Sequence, residues 1–168
     1  MTSSALELLT CGLHHLDRSP SKTATTHTTT TNAAPAAPAG PDTRFERGSA
    51  RLAEVDGVGG QRVVDALRDV APDLGRYIVE FAFGDVYSRP GLSLRDREIA
   101  TVAALTAIGH AQPQLEVHVN AALNVGCSAP EIMEVIVQMA LYAGFPAAVN
   151  AAFTARKVFA ERDLLPVA

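Results

Sequence analysis

The sequence predicts an all-α fold. Helix-starting and helix-ending residues recur from residue 44 onward, apolar side chains return every third or fourth position, and no stretch alternates with a period of two. The 168 residues suit one domain with a core of ordinary size. Residues 44–55 and 61–71 both carry helical spacing, separated by the run Asp56-Gly57-Val58-Gly59-Gly60. Pro72 restarts the chain for a helix over 73–84, with Leu74, Ile78, Phe81 and Ala82 along one stripe. Gly84 ends it, and the chain through Leu92 reads as a loop, because Pro90-Gly91 is turn chemistry. Ser93 with Asp96 signals a capping box and opens a helix to Gly109. Pro113 opens the next, ending at Gly126; Ser128 with Glu131 caps another, ending at Gly144; Pro146 opens the last, ending at Arg162. The expected domain therefore has six to seven helices over residues 44–168.

The first forty-three residues read differently. Residues 3–16 could form a short amphipathic helix, too short to hold alone, and they lack the basic start and cleavage site of a secretory signal. Residues 19–43 are Thr, Ala and Pro with almost no large apolar side chain, so they are expected to be a disordered leader. His14, His15 and His27 are scattered there and read as solvated, not as a metal tract.

Composition narrows the function. Fourteen basic against eighteen acidic side chains give a formal charge of −4, with no basic cluster for a nucleic-acid backbone. No apolar run reaches the roughly 20 residues of a spanning helix, so a cytoplasmic protein without a membrane partner is expected. Cys11 and Cys127 have neither disulfide-framework nor metal-ligand spacing. No phosphate-binding glycine loop, paired-histidine metal motif or nucleophile elbow is present, and the expectation is chemistry with no metal and no cofactor. Residues 94–109 beyond Ile99, and most of 132–145, are apolar on nearly every side. Two such helices exceed what a domain this small can enclose, which predicts a homo-oligomer.

The candidate functional residues interrupt these helices. Gln114 and His118 share one face a turn apart, with Ala121 and Ala122 leaving space beside them; Glu116 and Asn120 pair on nearly the opposite face. His118 is either a titratable group at a site or a histidine satisfied by a carbonyl in a core. Arg89, Arg95 and Arg97 cluster around a loop and a helix start, where they could meet an anionic ligand or pair with Asp85, Asp96 and Glu98. Tyr142, beside a helix-to-helix turn, could hydrogen-bond a ligand or simply present its hydroxyl to water.

Three stretches carry a resemblance: GDVYSRPGL at 84–92, HVNAALNVG at 118–126 and YAGFPAA at 142–148. In them the chain resembles the carboxymuconolactone decarboxylase family over residues 45–162. The resemblance implies an all-α, AhpD-like fold assembled as a homo-trimer or homo-hexamer. One branch of that family is a thiol peroxidase built on a CxxC, often CxxCH; setting its histidine on His118 puts the cysteine positions at Gln114 and Val117, which disfavours disulfide chemistry. The other branch is the decarboxylase. Its γ-carboxylated lactone loses CO₂ and leaves a dienolate that needs a proton and a stabilised oxyanion. By resemblance, His118 is the proton donor, with Glu116 and Glu98 as further acid or base candidates. Arg89, Arg97, Gln114, Asn120 and Tyr142 are candidates to hold a small, anionic substrate. The branch has Glu–x–Arg–x–His–x–Arg on its central helix, where this chain reads Gln114, Glu116, His118, Asn120, so a less acidic lactone or enone is expected. Two alternatives stay open: another cofactor-free proton-transfer or cyclisation enzyme on the same scaffold, and a non-catalytic oligomeric binding protein.

Overall fold

A computed structural model describes residues 43–167, which contain seven helices and, among the described residues, no strand. The expectations for residues 1–42, Cys11 included, lie outside the described residues. The helices are α1 (Arg44–Val55), α2 (Gly57–Ala66), α3 (Pro72–Tyr77), α4 (Leu94–Ile108), α5 (Gln112–Asn124), α6 (Ala129–Ala143) and α7 (Phe145–Glu161). α3 runs on without a break as a π-helical stretch, Ile78–Tyr87. No helix among the described residues is long and apolar enough to cross a membrane.

The starts follow the sequence. Ser128 and Glu131 form the expected capping box on α6, and Thr43 with Glu46 forms one on α1 that the sequence reading did not anticipate. Ser93 caps α4 by accepting from the Asp96 backbone N–H at 3.1 Å. The Asp96 carboxylate takes the Ser93 hydroxyl at 2.7 Å instead of the backbone N–H of its partner, so this box is only half closed.

Three expectations are corrected. The glycine run does not separate two helices: α2 begins at Gly57, immediately after Asp56, and Gly59 and Gly60 lie inside it. Gly57 has φ +57°, a left-handed conformation that lets the chain turn within one residue. Gly84 does not end the third helix, and Asp85, Val86 and Tyr87 are helical, not loop. Finally, Leu74 and Phe81 are exposed, while Val79 and Phe83 are buried. The π-helical winding, with its i→i+5 spacing, rotates the inward face away from the stripe a 3.6-residue repeat marks out.

Two apolar clusters result. One joins α4 to α7 around Val102, Leu115, Val119, Ile132, Ile136, Val158 and Phe159. The other joins α1 to the π-helical stretch around Leu52, Val55, Val79 and Phe83, with Ala121 of α5 reaching into it. α1 and the π-helical stretch cross at two glycines. A Cβ on Gly48 would lie 2.0 Å from the Val79 carbonyl oxygen, and one on Gly84 would lie 2.7 Å from that of Arg44. α5 belongs to both clusters, and His118 lies on it between their members Leu115, Val119 and Ala121.

The buried stripe of α4 is not wholly apolar: it reads Glu98, Val102, Thr106. On the outer side of α6 and α7, Val137, Leu141, Tyr142, Phe145, Val149 and Phe153 are exposed, so these helices are not enclosed on every side within one chain.

Candidate active site

Four elements meet at one buried polar centre. α4 supplies Glu98, with no solvent exposure, and α5 supplies His118, whose side chain keeps 23%. His118 Nδ1 lies 2.9 Å from Glu98 Oε2. The π-helical stretch supplies Tyr87, whose hydroxyl donates to Glu98 Oε1 at 2.7 Å and lies 3.1 Å from Thr101 Oγ1. The α1–α2 junction supplies Asp56, almost fully buried. Both Glu98 oxygens are thus engaged, as a buried carboxylate requires. Asp56 Oδ1 is buried and accepts no hydrogen bond.

The electrostatics are those of a crowded anionic pocket. Burial pulls the pKa of His118 down, but the hydrogen bond and charge of Glu98, with the charge of Asp56 behind it, outweigh burial and raise it above 6.5. Burial pushes the Asp56 carboxyl up to about 6, with His118 opposing and Glu98 reinforcing the rise. Burial, followed by the Glu98 charge, raises the Tyr87 phenol well above its usual range, so it stays protonated and donates. The centre sets an imidazole whose pKa is raised against the buried Glu98 carboxylate group, with the Asp56 carboxyl, pushed up to about 6, close by. That suits the giving and taking of protons.

Asp56, Glu98 and His118 each bring a potential ligand atom within 4.8 Å of the others, so they could also converge on a cation. Glu98 already accepts from Tyr87 and His118 at its two oxygens, and those bonds would have to be surrendered first.

Of the expected site residues, Glu98 and His118 come together. Arg97 lies alongside: its guanidinium sits 5.9 Å over the Tyr87 ring centroid and donates to the Arg89 carbonyl at 3.0 Å, and its Nε is buried with no acceptor. Arg89 itself is exposed. The arginine cluster does not pair with the acids nearest in sequence, for Arg95 takes Glu131 and Asp85 takes Arg44 and Arg47. Glu116 is held by Lys157 at 2.8 and 2.9 Å, and Asn120 accepts from Arg162 Nε at 2.9 Å; the two sit on a groove and not against His118. Gln114 is exposed, and Tyr142 is 78% exposed at the end of α6. Cys127 is buried and unpaired, and burial raises its thiol pKa, which keeps it protonated.

Tyr87, Thr101 and Asp56 are the residues that sequence reasoning missed. Tyr87 was inside the GDVYSRPGL motif but was read as loop. Asp56 was read as the edge of a glycine linker.

Two grooves flank the helices. One, of about 780 Å³, runs between α2 and α5 and is lined by Asp56, Arg62, Glu116, Asn120, Asn124 and Arg162, among others. Another, of about 670 Å³, is apolar, lies against the C-terminal Leu165–Val167, and touches none of the residues of the polar centre. The first is the one that reaches the chemistry, through Asp56.

Among the described residues this is an all-helical domain with a largely buried carboxylate–imidazole pair between its helices and no thiol pair beside it, which sets it among small helical proteins with a polar centre in place of a dithiol. Comparison with known proteins narrows the class. The profile of the carboxymuconolactone decarboxylase family matches residues 72–157. The chain is 35% identical over 126 residues to a 4-carboxymuconolactone decarboxylase of Acinetobacter baylyi, covering 74% of this chain and 93% of that one. It is 36% identical over 99 residues to an uncharacterized 15.0 kDa protein of Paracoccus denitrificans, spanning 58% of this chain and 74% of the relative. It is also 33% identical over 106 residues to a nitrosuccinic acid decarboxylase of Metarhizium robertsii, covering 61% of this chain and 73% of that one. The chain belongs to the carboxymuconolactone decarboxylase family.

Proposed function

We propose that this protein is a decarboxylase that needs no cofactor, acting on a carboxylated lactone or related carbonyl acid, with His118 as the source of the proton. The observation that carries the reading is the buried Glu98–His118 pair at 2.9 Å, in which Glu98 favours the protonated imidazole. Two relatives named as decarboxylases support the same reaction class. The substrate's own conjugated carbonyl takes the electron pair: the C–C bond to the γ-carboxylate breaks, CO₂ leaves, and the pair delocalises as a dienolate. The imidazolium then gives its proton to the α-carbon, and solvent restores it. Glu98 stabilises the cationic imidazole beforehand, while Tyr87 and Thr101 fix the carboxylate that does so. Glu116, Arg89, Gln114 and Tyr142 lie outside this arrangement within one chain, and Arg97 steadies the Tyr87 ring.

The protein works as a homo-oligomer in this reading, a trimer or a pair of trimers. The exposed apolar residues of α6 and α7 support that assembly.

Release of CO₂ from 4-carboxymuconolactone and from nitrosuccinate tests the reaction. His118→Gln keeps size and hydrogen bonding but cannot deliver a proton, and should lower turnover about 10²–10⁴-fold. An active wild type with an equally active glutamine variant sinks the assignment of His118.

A further inference from the structure

The reaction proposed above uses His118 and Glu98 and leaves the Asp56 carboxylate without a task. Asp56 is only 9% exposed, and its Oδ1 has no hydrogen-bond partner. A Cβ on Gly60 would lie 2.6 Å from the Asp56 Cβ, so the start of α2 packs closely against this side chain and holds it in place. Glu98 has no solvent exposure, and among the described residues no lysine or arginine forms a salt bridge with either acid. With both acids ionised, two buried carboxylates face one imidazole, and the excess negative charge is costly in a low-dielectric interior. One ligand atom from each of the three residues lies within 4.8 Å of the other two. Ligand atoms around a tetrahedral ion at about 2.1 Å stand about 3.4 Å apart, so side-chain rotations of about 1 Å close the set. Two carboxylate oxygens and an imidazole nitrogen suit Zn²⁺ better than Mg²⁺ or Ca²⁺, which take oxygen ligands, and three protein ligands leave a further position for water. The hydrogen bonds given up have substitutes. The Tyr87 hydroxyl has Thr101 Oγ1 at 3.1 Å, and His118 exchanges Glu98 for the ion. An ion also has a way in, since the His118 side chain keeps 23% exposure and Asp56 lines the groove between α2 and α5.

We propose that Asp56, Glu98 and His118 bind one zinc-class divalent cation, and that the metal-bound protein does not decarboxylate. The site stands on its own geometry; its effect on turnover rests on the decarboxylase reading above. Binding is an exchange without oxidation or reduction. The ion accepts a ring-nitrogen lone pair of His118 and one oxygen of each carboxylate, and the protons those groups carried pass to solvent. The double positive charge then cancels the two carboxylates. A ring nitrogen that holds the ion no longer holds a proton, and the ring's other N–H is a far weaker acid than an imidazolium. Metal-bound His118 therefore cannot protonate the dienolate.

The test is calorimetric titration with ZnCl₂, and with MgCl₂ as its control, of the whole protein stripped by EDTA and exchanged into metal-free buffer at about pH 7.5. Wild type should bind one Zn²⁺ per chain with a Kd of about 1 μM or tighter, and no Mg²⁺. Co²⁺ in its place should give the visible absorption of a four-coordinate ion with oxygen and nitrogen ligands. Asp56→Asn, Glu98→Gln and His118→Gln should each weaken zinc binding at least about tenfold, because each removes one ligand. Zinc should raise the melting midpoint of wild type and not that of Asp56→Asn, a variant expected to fold at least as well as wild type at this pH. No zinc binding by wild type at about 100 μM overturns the proposal. So does zinc bound equally by wild type and Asp56→Asn, for it then sits on other donors such as His14, His15 and His27. Turnover separates this inference from the reading beneath it. If no carboxylated carbonyl acid is decarboxylated while zinc binds with this dependence on the three residues, the reaction is wrong and the metal site stands. If decarboxylation depends on His118 while zinc neither binds at the three residues nor slows turnover, the metal site is wrong and the reaction stands. Turnover that rises as zinc fills the site overturns the proposed inhibition.

Discussion

Asp56 carries a cost that the fold does not need. Its carboxyl titrates at about 6 in the folded protein, above its ordinary 3.8, because burial disfavours the anion. A raised pKa means that the folded state holds the proton more tightly. Below about pH 4 both states are protonated and nothing is lost. Between 4 and 6 the unfolded chain ionises while the folded one does not, so stability falls, and above 6 the whole penalty is in place. The shift corresponds to about 2–3 kcal/mol against folding at neutral pH. Asp56→Asn should therefore raise the melting midpoint by several degrees at pH 7.5 and by almost nothing at pH 4, measured by calorimetry across that range. An equal gain at both pH values would mean that the carboxylate is not the source of the penalty. His118 has the same sign: its raised pKa contributes stability below about pH 6.5 that is lost as pH rises through the folded value. The two titrations reinforce each other, so the protein should be more stable on the acid side of neutrality. Residues kept at such expense are those expected where activity, not packing, sets the choice.

At the scale of the helices, what places Tyr87 and Asp56 is the crossing of α1 with the π-helical stretch. Alanine at Gly48 would gain about 1 kcal/mol of helix propensity. Its Cβ, however, would sit 2.0 Å from the Val79 carbonyl oxygen, and backbone cannot be swung aside like a side chain. Steric overlap wins. Gly48→Ala should cost about 3 kcal/mol or more in urea unfolding and depress activity, because it separates the helices bearing Asp56 and Tyr87. A neutral or stabilising result would show that the two helices do not touch as described. This crossing also marks where the sequence was legible and where it was not. Ser128 with Glu131, Pro113 and Gly144 set helix boundaries through contacts a few residues apart, and those were read correctly. Glu98 and His118 were found because each breaks an apolar helix. Tyr87 was lost because Gly84 and the following Pro90-Gly91 read as an ending, when Gly84 is there for a close approach to the Arg44 carbonyl, far away in the chain. Nothing local signals a π-helical winding, which here is bound up with packing against α1. Asp56 was lost for a similar reason: three nearby glycines imitate a linker, yet Gly60 is buried against Leu52 and Asp56 itself.

Across the whole molecule, the largest unexplained feature of a single chain is the outer face of the α6–α7 hairpin. Val137 and Leu141 stand one turn apart on α6, and Phe145, Val149 and Phe153 recur every fourth residue on α7, all exposed. The regular spacing makes two continuous stripes in place of scattered apolar residues, and stripes of that kind are covered by a partner in proteins that stay in solution. A second copy of this chain is the simplest partner, and with the same stripes on each copy a closed ring satisfies them all. Light scattering should give three or six times the 17.7 kDa chain mass. Leu141→Glu with Phe153→Glu should shift that mass toward a single chain while leaving helical circular dichroism intact, since neither side chain belongs to the buried clusters. Each side chain is more than two-thirds exposed in one chain, so a charged replacement is tolerated by a monomer and penalised by an interface. A wild-type mass near one chain at micromolar concentration would leave these stripes facing water, and the assembly would have to be given up.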